Sequence, residues 1–308
     1  MFVGKQTIMK INKKLTREEF RNSFGTTELC LNYLSEQKWA TGYSCRKCGH
    51  GKHTTGKKQY NRRCTKCGYD ESPTSHTVFH KLKFGVDKAF EMTFDIVTCK
   101  KGANSIWLAE KYGVKQTTAW YFRQKVQVIM KSSERFPLEK EVHVDEFEIG
   151  TPKKGEPGRS PSKGKVRVVI ALEYRDGKPG RGYARIIEDY SSESLRPIFD
   201  IHIRNDASVV TDGWAGYSPL KEQFPKLEQR LSDKGRNFTM LHIQIRNFKN
   251  WLRGVHSYCN KEYLHRYIDE YFYRFNRLNF REAIFEKLLD RMFLSEPITY
   301  GAIRCSAT

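Results

Sequence analysis

No stretch of this 308-residue chain approaches the ~20 consecutive apolar residues of a membrane-spanning helix, which excludes a membrane-embedded function. The opening MFVGKQTIMKINKKLTREEF carries Lys and Glu and has no apolar signal core, so the expectation is a soluble, cytoplasmic protein. Internal repeats and low-complexity runs are also lacking, which excludes solenoid arrays and tail-like segments. Acidic residues are comparatively scarce: 35 Asp and Glu stand against 55 Lys and Arg, for a net charge of +20. That balance predicts a polyanionic partner, nucleic acid, with a merely basic soluble enzyme as the bland alternative. Hydrophobic residues make up 38% and aromatics 13%, enough for folded cores, which excludes a disordered basic tail. The length fits two domains.

The charge is uneven. Residues 1–140 hold 27 basic and 12 acidic side chains, while residues 141–308 hold 28 and 23. The positive field therefore lies in the N-terminal half, as a DNA-gripping region joined to a more balanced domain would have it. The joint is expected near Ser132–Pro137, where a helical pattern ends and proline blocks its continuation.

Four of the eight cysteines form Cys45-Arg-Lys-Cys48 and Cys64-Thr-Lys-Cys67, with fifteen residues between the pairs. This spacing lets two tight turns offer four thiolates to one tetrahedral Zn²⁺. Gly49 and Gly68 follow the second cysteine of each pair, where the turn needs a permissive backbone. Two disulfides are the competing reading, disfavoured in an intracellular chain. A closed set of four thiolates leaves no position for water, so the zinc is expected to be structural. His50 and His53 lie nearby as possible substitute ligands, and Cys30, Cys99, Cys259 and Cys305 read as free thiols. Arg62 and Arg63 are among the basic residues that make this ribbon a DNA-contact candidate.

Residues 87–131 read as helical, with a helix-turn-helix pattern running from Ser105, a candidate N-cap, through Gly113. The second helix would turn Ala119, Phe122 and Val126 inward. Gln116, Thr117, Thr118, Tyr121, Arg123, Gln124 and Lys125 would then face phosphates and base edges in a major groove. An ordinary helical hairpin is the competing reading.

In the second half, Glu141–Gly150, Lys165–Tyr174 and Gly182–Asp189 read as strands, residues 191–203 as a helix and Ala207–Asp212 as a short strand. A basic loop with Lys153, Lys154, Arg159, Lys163 and Lys165 is a phosphate-contact candidate. Asp145 and Glu146 occupy positions where a core strand would not normally place carboxylates, and Asp212 ends a strand. Carboxylates at the ends of neighbouring strands suit two-metal phosphoryl transfer with Mg²⁺ or Mn²⁺. Taken singly, each Asp would read as an ordinary turn residue. Residues 261–277 read as a helix whose apolar stripe is a core face or, alternatively, a stacking platform for bases.

Several segments together carry a resemblance: Arg62-Arg-Cys-Thr-Lys-Cys-Gly-Tyr69, Lys100-Lys-Gly102, Val144-Asp-Glu146, Thr211-Asp-Gly-Trp214, Asn247-Phe-Lys-Asn-Trp-Leu-Arg-Gly254, Tyr267-Ile-Asp-Glu270 and Arg274-Phe-Asn-Arg277. In this order the chain resembles zinc-ribbon insertion-sequence transposases of the ISXO type, a branch of the DDE superfamily. The resemblance implies a ribonuclease-H-like catalytic domain that cleaves and joins strands at the ends of a mobile element with Mg²⁺. It implies Asp145 and Asp212 as the first two catalytic acids, each a ligand of two Mg²⁺ or Mn²⁺ ions, and Lys249 as a phosphate-steering lysine. Relatives carry Glu or Asn as the third residue, but this chain has no Glu from 229 through 261. His242, two helical turns before Lys249, is the preferred substitute and Asn247 its rival. His242 can also be read as an ordinary histidine at the edge of an apolar segment.

The expectation is thus an α+β multidomain chain. Residues 1–80 would hold the zinc ribbon (core 43–70), residues 81–136 a helix-turn-helix DNA-binding domain, and residues 140–308 an α/β catalytic domain with a mixed sheet. Its partners would be double-stranded DNA, as element terminal repeats and as target, and a second copy in a synaptic complex. A DNA-binding regulator with a degenerate catalytic domain, or a nuclease without joining activity, are the other readings.

Overall fold

Thr16 opens the first helix: its hydroxyl accepts from the Glu19 amide at 3.1 Å while the Glu19 carboxylate accepts from the Thr16 amide at 2.7 Å. The computed structural model describes residues 15–150, 165–256, 259–277 and 283–305. These fall into two units, Met1–Ile129 with Phe280–Thr308, and Met130–Asn279.

The first unit begins with α1 (Arg17–Phe24) and α2 (Thr27–Lys38). Three short antiparallel strands follow, β1 (His53–Thr55), β2 (Arg62–Cys64) and β3 (Asp70–Glu71). Then come α3 (Val86–Thr98), α4 (Ser105–Tyr112) and α5 (Gln116–Met130). The helical region 87–131 is interrupted after Thr98 as well as at Gly113, and Gly102 takes a φ of +92° between α3 and α4.

The second unit is built on a five-stranded mixed sheet in the order β6-β5-β4-β7-β8. Its strands are β4 (Glu141–Ile149), β5 (Val166–Arg175), β6 (Lys178–Ile187), β7 (Ser208–Thr211) and β8 (Leu227–Gln229). The first three form an antiparallel meander, whereas β7 and β8 run parallel to β4. β6 begins four residues earlier than its apolar pattern suggests, because Asp176 and Gly177 take positive φ (+53° and +71°). That Asp-Gly pair is a two-residue hairpin turn matching the strand twist.

Alternation along the strands feeds two cores. Val142, Val144, Val169 and Ala171 pack with Leu195, Ile198 and Phe199 of α6 (Ser192–His202) on one face. Phe147, Val168, Ile170 and Leu172 pack on the other with Leu241, Ile245 and Phe248 of α7 (Thr239–Val255) and with α8 (Leu264–Phe275). The α8 stripe, Leu264, Tyr267, Ile268 and Phe272, is buried core and not a platform for bases. Asn276 fastens this helix to the sheet, accepting from the Gly182 amide at 2.8 Å and donating to its carbonyl at 2.9 Å. A Cβ on Gly182 would stand 3.1 Å from the Phe272 ring, a tight approach that glycine relieves.

The C-terminal helices α9 (Ile284–Leu294) and α10 (Tyr300–Cys305) belong to the first unit, so the second ends at Asn279, short of the expected 308. The cause is aromatic packing: Phe285 meets Phe20 at 5.3 Å and Phe94 at 5.5 Å, beside buried Leu288, Leu289 and Met292. The expected separation at residue 80 is likewise absent, since ribbon and helix-turn-helix lie in one unit.

His202, at the end of α6, stacks on Tyr183 at 4.1 Å. Burial, helped by Arg185, pushes its imidazole down to about 4. The unfolded chain therefore takes up more protons than the folded one between pH 6.5 and about 4. Stability should fall as pH drops through that window, by at most about 3 kcal/mol. Thermal unfolding at pH 7 and pH 5 measures the loss, and His202→Phe should shrink it. An unchanged pH slope in the variant would contradict this.

Candidate active site and metal centres

The two cysteine turns are near copies of each other. Gly49 donates to the Cys45 carbonyl at 2.7 Å and Cys45 to the His50 carbonyl at 3.0 Å. Gly68 and Cys64 repeat the pattern with the Cys64 and Tyr69 carbonyls at 3.0 and 2.9 Å. Both glycines take φ near +70°. The sulfurs Cys45–Cys67 and Cys48–Cys64 lie 3.6 Å apart, and all four fall within 4.8 Å of one another. That is close to the ~3.8 Å edge of a tetrahedron with ~2.3 Å zinc–sulfur arms. Burial opposes ionisation of Cys45, but the Lys47 and Cys48 amides directed at its sulfur bring it down to about 6. The four thiols are free, as a zinc ribbon requires. His50 is not part of the cluster; its ring bonds the Thr65 hydroxyl at 3.0 Å, and His53 packs on Tyr43. Arg62 lies over the Trp39 ring at 4.5 Å, whereas Arg63 is exposed.

In the helix-turn-helix segment, Asn104 and not Ser105 is the N-cap, accepting from the Trp107 amide at 2.8 Å. Ser105 is already helical, and its hydroxyl accepts from the Gln116 side chain at 2.9 Å, joining the two helices. Gly113 ends α4 with φ +61°. The expected reading face is corrected in part. Gln116 and Thr117 are exposed and Thr118 half-buried. Arg123, however, is buried with its Nε donating to the Ala103 carbonyl at 2.9 Å. It stands four residues after Ala119 and three before Val126, inside the inward stripe. Gln124 and Lys125 are buried too, the Lys125 ammonium lying 5.0 Å from the Tyr121 ring. Tyr121 is half-buried and donates to the Ile298 carbonyl at 3.0 Å.

The acidic site arises from the sheet register. The parallel β4–β7 ladder ends at Val144↔Thr211, so Asp145 and Asp212 are the next residues on neighbouring strands. Beyond Thr211, β4 has no β7 partner on that side. Glu146 would alternate to the opposite face from Asp145, yet oxygens of Asp145, Glu146 and Asp212 lie within 4.8 Å of one another. One Asp212 oxygen accepts from the Trp214 amide at 3.0 Å, fixing the turn. Gln229 clamps the same turn by donating to the Trp214 carbonyl at 2.8 Å. The buried Tyr217 hydroxyl is held protonated by its burial and by the nearby charge of Glu146, then of Asp145 and Asp212.

The other wall is α7. His242 Nε2 lies 2.9 Å from Asp145 Oδ2, and that hydrogen bond raises the imidazole above its usual range despite partial burial. Arg246, Lys249, Asn250 and Arg253 follow on the same helix face and line a cavity of about 330 Å³ with Asp145 and Glu146. Lys249 reaches over the Phe147 ring at 5.2 Å; burial and Arg253 lower its ammonium, while Glu148 and Asp145 oppose that shift. Asn247 is exposed and does not line the cavity. Of the basic loop, Lys165 pairs with Glu148 at 2.9 Å, and residues 153, 154, 159 and 163 lie outside the described residues.

Three carboxylates with hard oxygen donors fit a divalent cation such as Mg²⁺ or Mn²⁺. This acidic sheet end faces a basic helix, and residues 137–276, which contain both, match the family model of the ISXO2-like transposase domain. The second unit is thus similar to an ISXO2-like transposase domain. No curated protein matches the chain. The likeness to that domain supports a transposase role for this region and suggests DNA cleavage and DNA binding. No helix among the described residues is long and apolar enough to cross a membrane.

Reasoning from sequence did not place Glu146 in the acidic cluster or Asn250 on the cavity wall. Glu146 was visible beside Asp145, but its contribution depends on where β7 stops. Asn250 carries a readable signal, standing eight residues after His242 on the same helix face.

Proposed function

We propose that the protein is a transposase that binds the terminal inverted repeats of an insertion sequence and catalyses metal-dependent strand cleavage and strand transfer. The observation that carries the reading is the cluster of Asp145, Asp212 and Glu146 opposite the His242–Lys249 face of α7. The strand order β6-β5-β4-β7-β8, with helices on both faces, supports a ribonuclease-H-like domain. Two divalent cations, Mg²⁺ or Mn²⁺, when bound would acidify the attacking hydroxyl and neutralise charge on the scissile phosphate. Asp145 and Asp212 hold the ligand positions, Asp145 within β4 and Asp212 just past the end of β7.

Lys249, with Arg246 and Arg253, grips the phosphate and orients it for in-line attack. A water or 3′-hydroxyl oxygen bonds to phosphorus as the bond to the leaving oxygen breaks. His242 Nε2 donates to Asp145 Oδ2 and so orients that carboxylate. Asn247 takes no part. The zinc ribbon, through exposed Arg63, and the helix-turn-helix, through Gln116, Thr117 and Thr118, supply the DNA contacts. Pairing of two element ends calls for a homo-oligomer.

The test is the full-length protein with Mg²⁺ and DNA carrying the element's terminal repeats. Cleaved and joined strands are expected. Cleavage without joining would make the protein a nuclease, and binding with neither a regulator.

A further inference from the structure

The segment Asp212-Gly-Trp-Ala-Gly-Tyr217 is tied down more firmly than one metal-binding aspartate needs. The Trp214 indole donates to the Tyr190 carbonyl at 2.8 Å, and a Cβ on Gly216 would stand 2.5 Å from that same oxygen. The following 3₁₀ turn, Ala215–Glu222, points Tyr217 inward, where it is fully buried with its ring 6.0 Å from Phe199. Such a ring is ordinary core, but its hydroxyl is not. Among the described residues the group set to receive it is the Glu146 carboxylate, whose charge acts on the hydroxyl more strongly than those of Asp145 and Asp212. Both Glu146 oxygens are shielded from solvent. A buried hydroxyl without a partner costs ~1–3 kcal/mol, so a sequence that only needed to fill this core would do better with Phe.

We propose that Tyr217 is a positioning residue for the metal site: its hydroxyl donates to Glu146 and holds that carboxylate beside Asp145 and Asp212 as the third acidic ligand. One segment then sets two ligands, Asp212 directly and Glu146 through Tyr217. This also supplies the third acid that α7 lacks, since the chain has no Glu from 229 through 261. The inference rests on the reading of the acidic cluster as a divalent-cation site.

Its test is Mn²⁺ binding to the full-length protein, followed by the paramagnetic signal of the free ion, together with thermal unfolding of the metal-free protein. Tyr217→Phe should weaken Mn²⁺ binding about 10-fold or more, while the metal-free unfolding temperature stays equal or rises. Glu146→Gln should weaken binding at least as much, and adding Tyr217→Phe to it should bring no further loss. Unchanged affinity in Tyr217→Phe, or additive losses in the double variant, overturns the proposal. A weaker affinity accompanied by a lower metal-free unfolding temperature also overturns it, since the hydroxyl would then serve packing. Asp212→Asn separates the two levels. If it too binds Mn²⁺ like the wild type, the cation-site reading itself has failed; if it loses binding while Tyr217→Phe does not, only the role of Tyr217 has.

Discussion

Asp145→Asn and Asp212→Asn should each slow strand cleavage by about 10³-fold or more, with binding of element-end DNA unchanged. The size follows from what a bound cation contributes to charge stabilisation in phosphoryl transfer, several kcal/mol, with each ~1.4 kcal/mol worth tenfold in rate. Asparagine preserves the local architecture. At position 212 it can still accept from the Trp214 amide, which the aspartate does at 3.0 Å. At position 145 it can still accept from the Glu146 amide, which the aspartate does at 2.8 Å. What disappears is the negative charge. Single-turnover cleavage in Mg²⁺ and a gel-shift titration separate chemistry from binding. Cleavage within tenfold of wild type in either variant would remove that aspartate from the site.

Removing zinc should have the second large effect. The ribbon's own buried cluster is only Trp39, Tyr43, Cys45 and Cys64, with Cys67 and Tyr69 packed against it. So small a core does not fold unaided. Structural zinc contributes roughly 10–16 kcal/mol to comparable zinc-finger peptides, far beyond what four side chains supply. Elemental analysis should find one zinc per chain. A strong chelator, or Cys64→Ser, should release it, unfold the ribbon and weaken binding of element-end DNA. The second unit should stay folded, because its cores lie in its own sheet and helices. A zinc-free protein whose ribbon amides remain protected from hydrogen exchange would contradict the assignment.

How much of this was legible beforehand depends on how local each signal is. The ribbon was readable because C-x2-C turns encode their geometry within a few residues, and the paired Gly49 and Gly68 turns bear this out. Asp145 and Asp212 were readable because each carboxylate interrupts an apolar run, although only Asp212 follows a strand end and β4 continues four residues past Asp145. His242 was placed by counting two turns back from Lys249, and its nitrogen lies 2.9 Å from Asp145. Features set by distant partners were not readable. Arg123 and Lys125 look like a recognition face until the unit buries them. The return of α9 to the first unit depends on Phe285 meeting Phe20 and Phe94, a contact no local pattern announces. Glu146 joins the acids because β7 stops at Thr211, and the end of a short strand is poorly marked in sequence.

The most direct measurement is an anomalous difference map from crystals of the protein with element-end DNA and Mn²⁺. Manganese about 2.1 Å from carboxylate oxygens of Asp145 and Asp212, with the scissile phosphate between that site and Lys249, is the expected result. Manganese bound only elsewhere, with Asp145 still paired to His242, would contradict metal-dependent strand transfer at this site.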